Sequence, residues 1–187
     1  DLATRQRPDE ASRALDRMDL ALARACWWPE GTDDHAPLYV GSIAGFWDWL
    51  WPVHEAMMLT RHVVTNTVFS FSGDVASTES YWTATMRMRS DGVLVDLQSG
   101  GRYVDGFERR NGEWRFSHRQ SIREWGRAEP ADPTIVGSPI VGIVKPDNPD
   151  APLTLPKRDR SDYSYQAIGA LEQHHSGTSI PRQGQEP

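Results

Sequence analysis

The chain of 187 residues holds a single cysteine, Cys26. No internal disulfide can staple it, and such sparse cysteine suits a reducing compartment. No apolar run approaches the ~18 residues of a membrane span, so no membrane association is expected. Lys and Arg do not cluster and the formal net charge is −6, which together argue against a nucleic-acid partner. A phosphate-binding glycine loop, a G-x-S-x-G elbow, paired cysteines and a dinucleotide fingerprint are all missing. No cofactor is therefore expected, and any reaction is a cofactor-free one. The first residue is Asp rather than Met, so a few residues are expected to be missing or removed. No signal peptide is visible in what remains, and the expected location is cytoplasmic.

Tryptophan is what the chain has in excess. There are eight, three of them crowded into FWDWLW, in a sequence that is otherwise 25% charged and 38% hydrophobic. That composition and length describe one globular domain plus a tail. So much aromatic area either fills a core or walls a cavity that grips flat, apolar ligands by stacking. On the second reading Trp47 and Trp51 are candidate contacts for a small aromatic substrate.

Ala11, Leu15, Met18, Leu22 and Ala25 follow the spacing of a buried helical face. Asp16 and Asp19 fall on or beside that stripe, where a carboxylate is costly unless it caps a helix, meets a donor or borders a wet pocket. The pattern predicts a helix from about Pro8 to Leu15 and a second from Leu20 to Trp27, with Asp19 as its N-cap. Pro29, Glu30 and Gly31 are expected to stop it, and TDDHAP to form a turn or strand start. Ser42 opens a third helix, which Pro52 is expected to kink or restart.

From Arg61 the period changes to two. RHVVTNTVFSFS places Val63, Thr65, Thr67, Phe69 and Phe71 on one face and His62, Val64, Asn66 and Val68 on the other. Turns at Gly73-Asp74, Asp91-Gly92 and Asn111-Gly112 join it to three further strands, with Gly100-Gly101 marking a bulge or bend. Helices first and four long antiparallel strands after give an α+β fold: a curved antiparallel sheet wrapped around N-terminal helices as a cone with an internal cavity. The cone domain is expected over 1–127 and a C-terminal extension over 128–187, serving as lid or interface arm. In the extension SPIVGIV is a candidate edge strand, DYSYQAIGALEQ a candidate short helix, and SGTSIPRQGQEP is expected to be disordered.

His62 opens the first long strand, at the mouth of the expected cavity. An imidazole there with a carboxylate in reach makes a general acid–base unit, and Asp16 is the carboxylate to pair with it. DDH at 33–35 gathers two acids and an imidazole, but no second His or Cys stands at ligand spacing, so no metal is expected and His35 is a candidate proton donor. Arg102 and Tyr103 project to opposite sides of a central strand, so only one can line the concave side; Asp105 or Glu79 would partner the arginine. Tyr81 shares a face with Glu79. His118 alternates with Trp114 and Phe116 and is expected on their side.

ALDRMD, TDDH, FWDWLWPVHEAM with TRH, GGRYVDGFERRNGEWRFSHR and REW together resemble the SnoaL-like family of the nuclear-transport-factor-two-like, cystatin-like cone superfamily. The resemblance runs from about residue 9 to 127. It implies the cone fold and cofactor-independent lyases, scytalone dehydratase and diarylpropane lyase among them, that share an aspartate on the first helix and a histidine at a strand start. In this chain those residues are Asp16 and His62. The tyrosine that precedes the aspartate in scytalone dehydratase is Leu15 here, His35 stands near its other pocket tyrosine, and Met86 near its second strand histidine. Its own reaction is thus not implied, and His35, Tyr103 and Arg102 offer other proton donors. The expectation is a lyase acting by acid–base catalysis on an apolar, hydroxylated aromatic, a lignin-derived diaryl compound being one candidate. Catalysis falls to Asp16, His62, His35 and Tyr103, and substrate binding to Trp47, Trp51, Tyr81, Arg102 and His118. A homo-oligomer is expected, a trimer ahead of a dimer. The alternatives are a ligand carrier, the accessory β subunit of a ring-hydroxylating oxygenase, or an isomerase or polyketide cyclase.

Overall fold

The computed structural model describes residues 2–131, 155–165 and 167–168. Among the described residues three longer helical elements accompany a single six-stranded sheet that does not close, two of them ahead of it in the chain and the third between its second and third strands. Helix α1 spans Leu2–Asp16, α2 Leu20–Ala25 and α3 Ile43–Glu55; the strands are β1 Trp27–Asp34, β2 Val40–Ser42, β3 Leu59–Ser72, β4 Val75–Ser90, β5 Val93–Arg110 and β6 Glu113–Pro130. Their order across the sheet is β2-β1-β6-β5-β4-β3. Every neighbouring pair is antiparallel except β1 and β6, which run parallel.

The helix starts follow their caps. Asp19 accepts a hydrogen bond from the Leu22 amide at 3.1 Å, and Ser42 caps α3 through the Gly45 amide at 3.2 Å. Between α1 and α2 the chain turns at Met18, whose φ is +51°. The apolar stripe of the sequence is thus split between two helices and not carried by one. Helix α1 begins earlier than Pro8, and α2 ends at Ala25, before Trp27. Pro52 does not restart α3, which runs on through it: Pro52 and Asp48, whose carbonyl it cannot serve, are both exposed, so water can take the lost partner's place.

Pro29, Glu30 and Gly31 do not end a helix but lie within β1. This strand escapes the hydrophobic pattern because its register shifts between Trp27 and Thr32, and β2 because three residues are too few to show a period. The hairpin turns fall where expected, with positive φ at Gly73, Asp91-Gly92 and Asn111-Gly112. Trp27 stacks on Phe116 (4.9 Å between centroids) and Phe116 meets Phe107 at 4.3 Å, forming the centre of the core between α3 and the sheet.

Three one-residue bulges interrupt the antiparallel pairs, in addition to a register shift between Trp27 and Thr32 where β1 meets β6. Register shifts fall between Thr65 and Val68 in β3, at Ser117 opposite Gly106/Phe107, and at Glu124 opposite Gly100/Gly101. Each adds a residue and so inverts the inward–outward alternation beyond it. In β3, Asn66 (φ +52°) is exposed and the inner row passes to Thr67 and Phe69, so the face that begins with His62 and Val64 does not continue through Val68. Strand β6 runs on to Pro130, and the Ala131 amide bonds to the Leu94 carbonyl. A helical turn covers Tyr163–Tyr165. SPIVGIV and the last dozen residues lie outside the described residues.

At the third bulge Gly101 leaves no room for a side chain: a Cβ there would sit 1.9 Å from the Ile122 carbonyl oxygen, a backbone atom that cannot swing aside. Gly101→Ala is expected to cost about 2–3 kcal/mol of stability, read from the urea midpoint at unchanged slope.

Candidate functional site

Asp16 is the last residue of α1, and the helix end aims it at the start of β3. There Oδ1 meets His62 Nδ1 at 2.7 Å, and Oδ2 accepts the His62 backbone amide at 2.9 Å. Both carboxylate oxygens are engaged by one residue, and both side chains are nearly sealed, 12% and 7% exposed. With Nδ1–H donated to the carboxylate, the imidazole presents Nε2 as its remaining acceptor. Asp16 and His62, paired by sequence, are paired in space.

His62 lines a cavity of about 290 Å³ between the helices and the inner face of the sheet. Its walls are largely aromatic and aliphatic: Trp27, Phe46, Trp47, Trp49 and Leu50 from one side, Trp82, Ala84, Met86 and Leu97 from the other. The ring of His54 lies against His62, centroids 6.0 Å apart and planes 21° from parallel. His54 ends the inward stripe Ile43, Trp47, Leu50, His54 of α3 and is 2% exposed. Burial, with His62 and Arg158 nearby adding to it, pushes its pKa down to about 3, so the ring is neutral at ordinary pH.

A second imidazole–carboxylate pair enters the same cavity from the β1 end of the sheet. His35 Nδ1 is hydrogen-bonded to Asp33 Oδ1, and the His35 ring stacks on Phe46 at 5.1 Å. Asp34 takes no part: its carboxylate accepts the Ala36 amide and holds the turn. Among the described residues no group of three or more His, Cys, Asp or Glu could hold a metal ion.

Tyr103, on β5, stands between the two pairs. It lines the cavity, stacks on Trp82 at 5.2 Å and carries the Arg119 guanidinium 3.8 Å above its ring. Burial pushes its pKa up to about 12, with Asp105, Asp33 and Asp16 pressing the same way and Arg119 opposing, so the phenol keeps its proton. Arg119 is anchored by a two-pronged bond to Asp105, at 2.7 and 2.8 Å. Burial works against its charge, and the Asp105 carboxylate more than restores it.

Four candidates from the sequence do not line this cavity. Arg102 points to the outer face, where Glu124 and Glu79 hold it at 2.7 and 3.1 Å; Tyr103 takes the inner position. Tyr81 shares the outer face and is 47% exposed. His118 is turned outward by the bulge at Ser117 and bonds to Thr32 Oγ1 at 2.8 Å, leaving the inner place to Arg119. Trp51 packs edge-on against Trp47, one layer behind the cavity wall. The site also contains residues that sequence reading passed over. The signal for His54 was present, since it sits at helical spacing on an apolar stripe. Arg119 could be found only by placing the bulge first.

A family model described as a SnoaL-like domain matches residues 5–120. No curated protein matches the chain in sequence. Among solved structures, the Kfla4162 protein of Kribbella flavida is similar with a TM-score of 0.61 at 16% identity, over 67% of this chain and 91% of its own. A type 2 hexachlorocyclohexane dehydrochlorinase, LinA, gives 0.60 at 15% identity, over 72% and 94%. A scytalone dehydratase-like protein of Novosphingobium aromaticivorans gives 0.55 at 20%, over 67% and 85%. At such identities these likenesses speak for the fold alone. No helix among the described residues is long and apolar enough to cross a membrane.

The buried, neutral His54 makes stability depend on pH. Its folded pKa of about 3 lies below the ordinary 6.5, so in acid the unfolded chain binds a proton that the folded chain refuses. Its contribution is full above about 6.5 and is lost as pH falls toward about 3. Between about pH 7.5 and about pH 5 the wild type is expected to lose about 2 kcal/mol more than His54→Leu, measured by urea unfolding at both values.

Proposed function

The chain belongs to the SnoaL-like family of the nuclear-transport-factor-two-like superfamily, and we propose that it serves there as a cofactor-independent lyase on an apolar, hydroxylated aromatic small molecule. The observation that carries this reading is the Asp16–His62 pair, held by two hydrogen bonds at the wall of an aromatic cavity. His62 Nε2 removes a proton from the substrate, and the Asp16 carboxylate balances the imidazolium that forms. Electrons from the broken bond expel the leaving group, which takes a proton from Tyr103 or from protonated His35. With hydroxide as leaving group the proton comes from carbon and the product is water; in a retro-aldol cleavage His62 takes the hydroxymethyl O–H proton, the C–C bond breaks to release formaldehyde, and the carbon left behind takes the proton. Trp47, Trp49 and Trp82 supply area for a flat ring, a diaryl substrate among the candidates.

The related folds include a dehydrochlorinase and a scytalone dehydratase-like protein, both names of eliminations, which supports the lyase class without naming a substrate. An accessory subunit of an oxygenase would need an interface in place of a deep pocket, and the cavity favours an enzyme. The exposed Val63, Tyr81 and Val104 on the outer sheet face support a homo-oligomer. A single monomeric species by light scattering at micromolar concentration would overturn that part.

The decisive experiment incubates the purified protein with hydroxylated mono- and diaryl compounds, no cofactor added, and reads product mass. Loss of water or formaldehyde with wild type is expected. His62→Ala should lower turnover by about 10³-fold, and Asp16→Asn by about 10²-fold or more, with the fold retained by circular dichroism. Full activity in His62→Ala would sink the mechanism, and a product of unchanged mass would move the reading to an isomerase.

A further inference from the structure

Residues 155–165 lie beyond the stretch that the family model matches, yet their side chains grip every element that frames the Asp16–His62 pair. Arg160 Nε and Nη2 bond to Asp19 at 3.1 Å each, and Tyr165 Oη donates to the same carboxylate at 2.9 Å. Asp162 lies 3.4 Å from Arg17, the residue after Asp16. Arg13 of α1 stands over the Tyr165 ring at 4.1 Å. The innermost contact is made by Arg158. Its Nη1 donates to the carbonyl of His54 at 2.8 Å and to that of Met57, and Nη2 donates to Thr60 Oγ1 at 3.3 Å. One guanidinium thus ties the last turn of α3, which carries the ring stacked on His62, to the start of β3, two residues before His62 itself.

We propose that Arg158 is a positioning residue of the site: it fixes the end of α3 against the start of β3 and so holds the His54 and His62 rings in register over Asp16. The proposal rests on the Asp16–His62 reading above. The chemistry of the contact explains why arginine stands there. Carbonyls at a helix C-terminus carry partial negative charge and have lone pairs to spare (His54 O takes the Met57 amide of the closing turn, at 3.1 Å), and a planar fork with five N–H groups can serve two such carbonyls and a hydroxyl at once. A lysine ammonium offers a point charge without that reach. The half-buried guanidinium also stands within electrostatic range of Asp16, whose charge offsets part of the cost of burying it.

Arg158 therefore acts on His62 by position, through the helix end and strand start that it ties together. Around His62 stand Asp16 from α1, His54 from α3 and Arg158; the Arg17–Asp162 pair adjoins Asp16, Tyr103 from β5 feels its charge, Arg123 from β6 lines the same cavity, and Arg61 next in the chain is exposed.

The test uses full-length protein labelled with ¹⁵N at histidine, with the His62 signals assigned by their loss in His62→Ala. In Arg158→Gln the His62 ring signals are expected to move away from the single Nδ1–H form. In Arg158→Lys, which keeps the charge but not the planar fork, the tautomer signature is expected to degrade as well. Turnover should fall about 10-fold in both with KM within about twofold, as for a misplaced catalytic group. Unchanged His62 signals in Arg158→Gln would overturn the proposal. Should Arg158→Gln fail to fold, Arg158→Lys decides: a wild-type tautomer signature and wild-type turnover would overturn it equally. Because the ring signals are read without substrate, failure of the lyase reading would show as silent turnover in wild type and would leave this result standing on its own.

Discussion

Everything in the site depends on a carboxylate placed where a helix least welcomes one. Asp16 closes α1, at the end whose backbone carbonyls already concentrate partial negative charge. It is also shielded from water. Its charge is sustained by two donors from His62, one from the backbone and one from the ring. This fixes more than a proton: the backbone bond sets the height of α1 along β3, and the ring bond sets the tautomer. If α1 shifts by a fraction of a turn, both bonds are lost together and a buried negative charge is left without a partner.

The rest of the cavity follows a division of labour between groups that hold charge and groups that are kept from it. Asp105 and Arg119 cancel each other in a tight, fully buried fork. His54 and Tyr103, each pressed by burial toward its neutral form, fill the space between the ionised pairs. A cavity built this way offers hydrogen-bonding rings with little fixed field beyond Asp16, Asp33 and the Arg123 cation on its wall. That suits a ligand that is itself apolar, and lets a charge formed during reaction be felt over a distance that water would screen.

Much of this could be read from residue order, and the limits have a common cause. Asp16 and His62 were visible because a helix and an uninterrupted strand keep their periods over the residues concerned. Asp19 and Ser42 announced themselves as caps, and the Gly-containing turns marked the hairpins. The errors cluster after bulges. His118 and Arg119 exchange faces because Ser117 adds one residue, and alternation counted from Trp114 cannot know it. Strand β1 hid behind Pro29 and Gly31 because its register shifts between Trp27 and Thr32. Arg158 had no local signal at all: its meaning lies in the carbonyls it meets, a hundred residues earlier.

The parallel pairing of β1 with β6 carries a consequence for how the chain comes to be folded. Thr32 and His118 are bonded across 86 positions of sequence, and the strands between them form hairpins that close locally. Those hairpins can zip as they emerge, whereas β1 and the α3 that follows it have no seat until β6 exists. The wall that carries Trp27, Phe46 and Trp47 therefore docks late, onto a sheet already made. Until then the inner aromatic rows of β4, β5 and β6 stand open to solvent and to other chains. During synthesis the protein is thus most prone to self-association just before its pocket exists, and a slow ribosome or a crowded cell would exact its toll at that step.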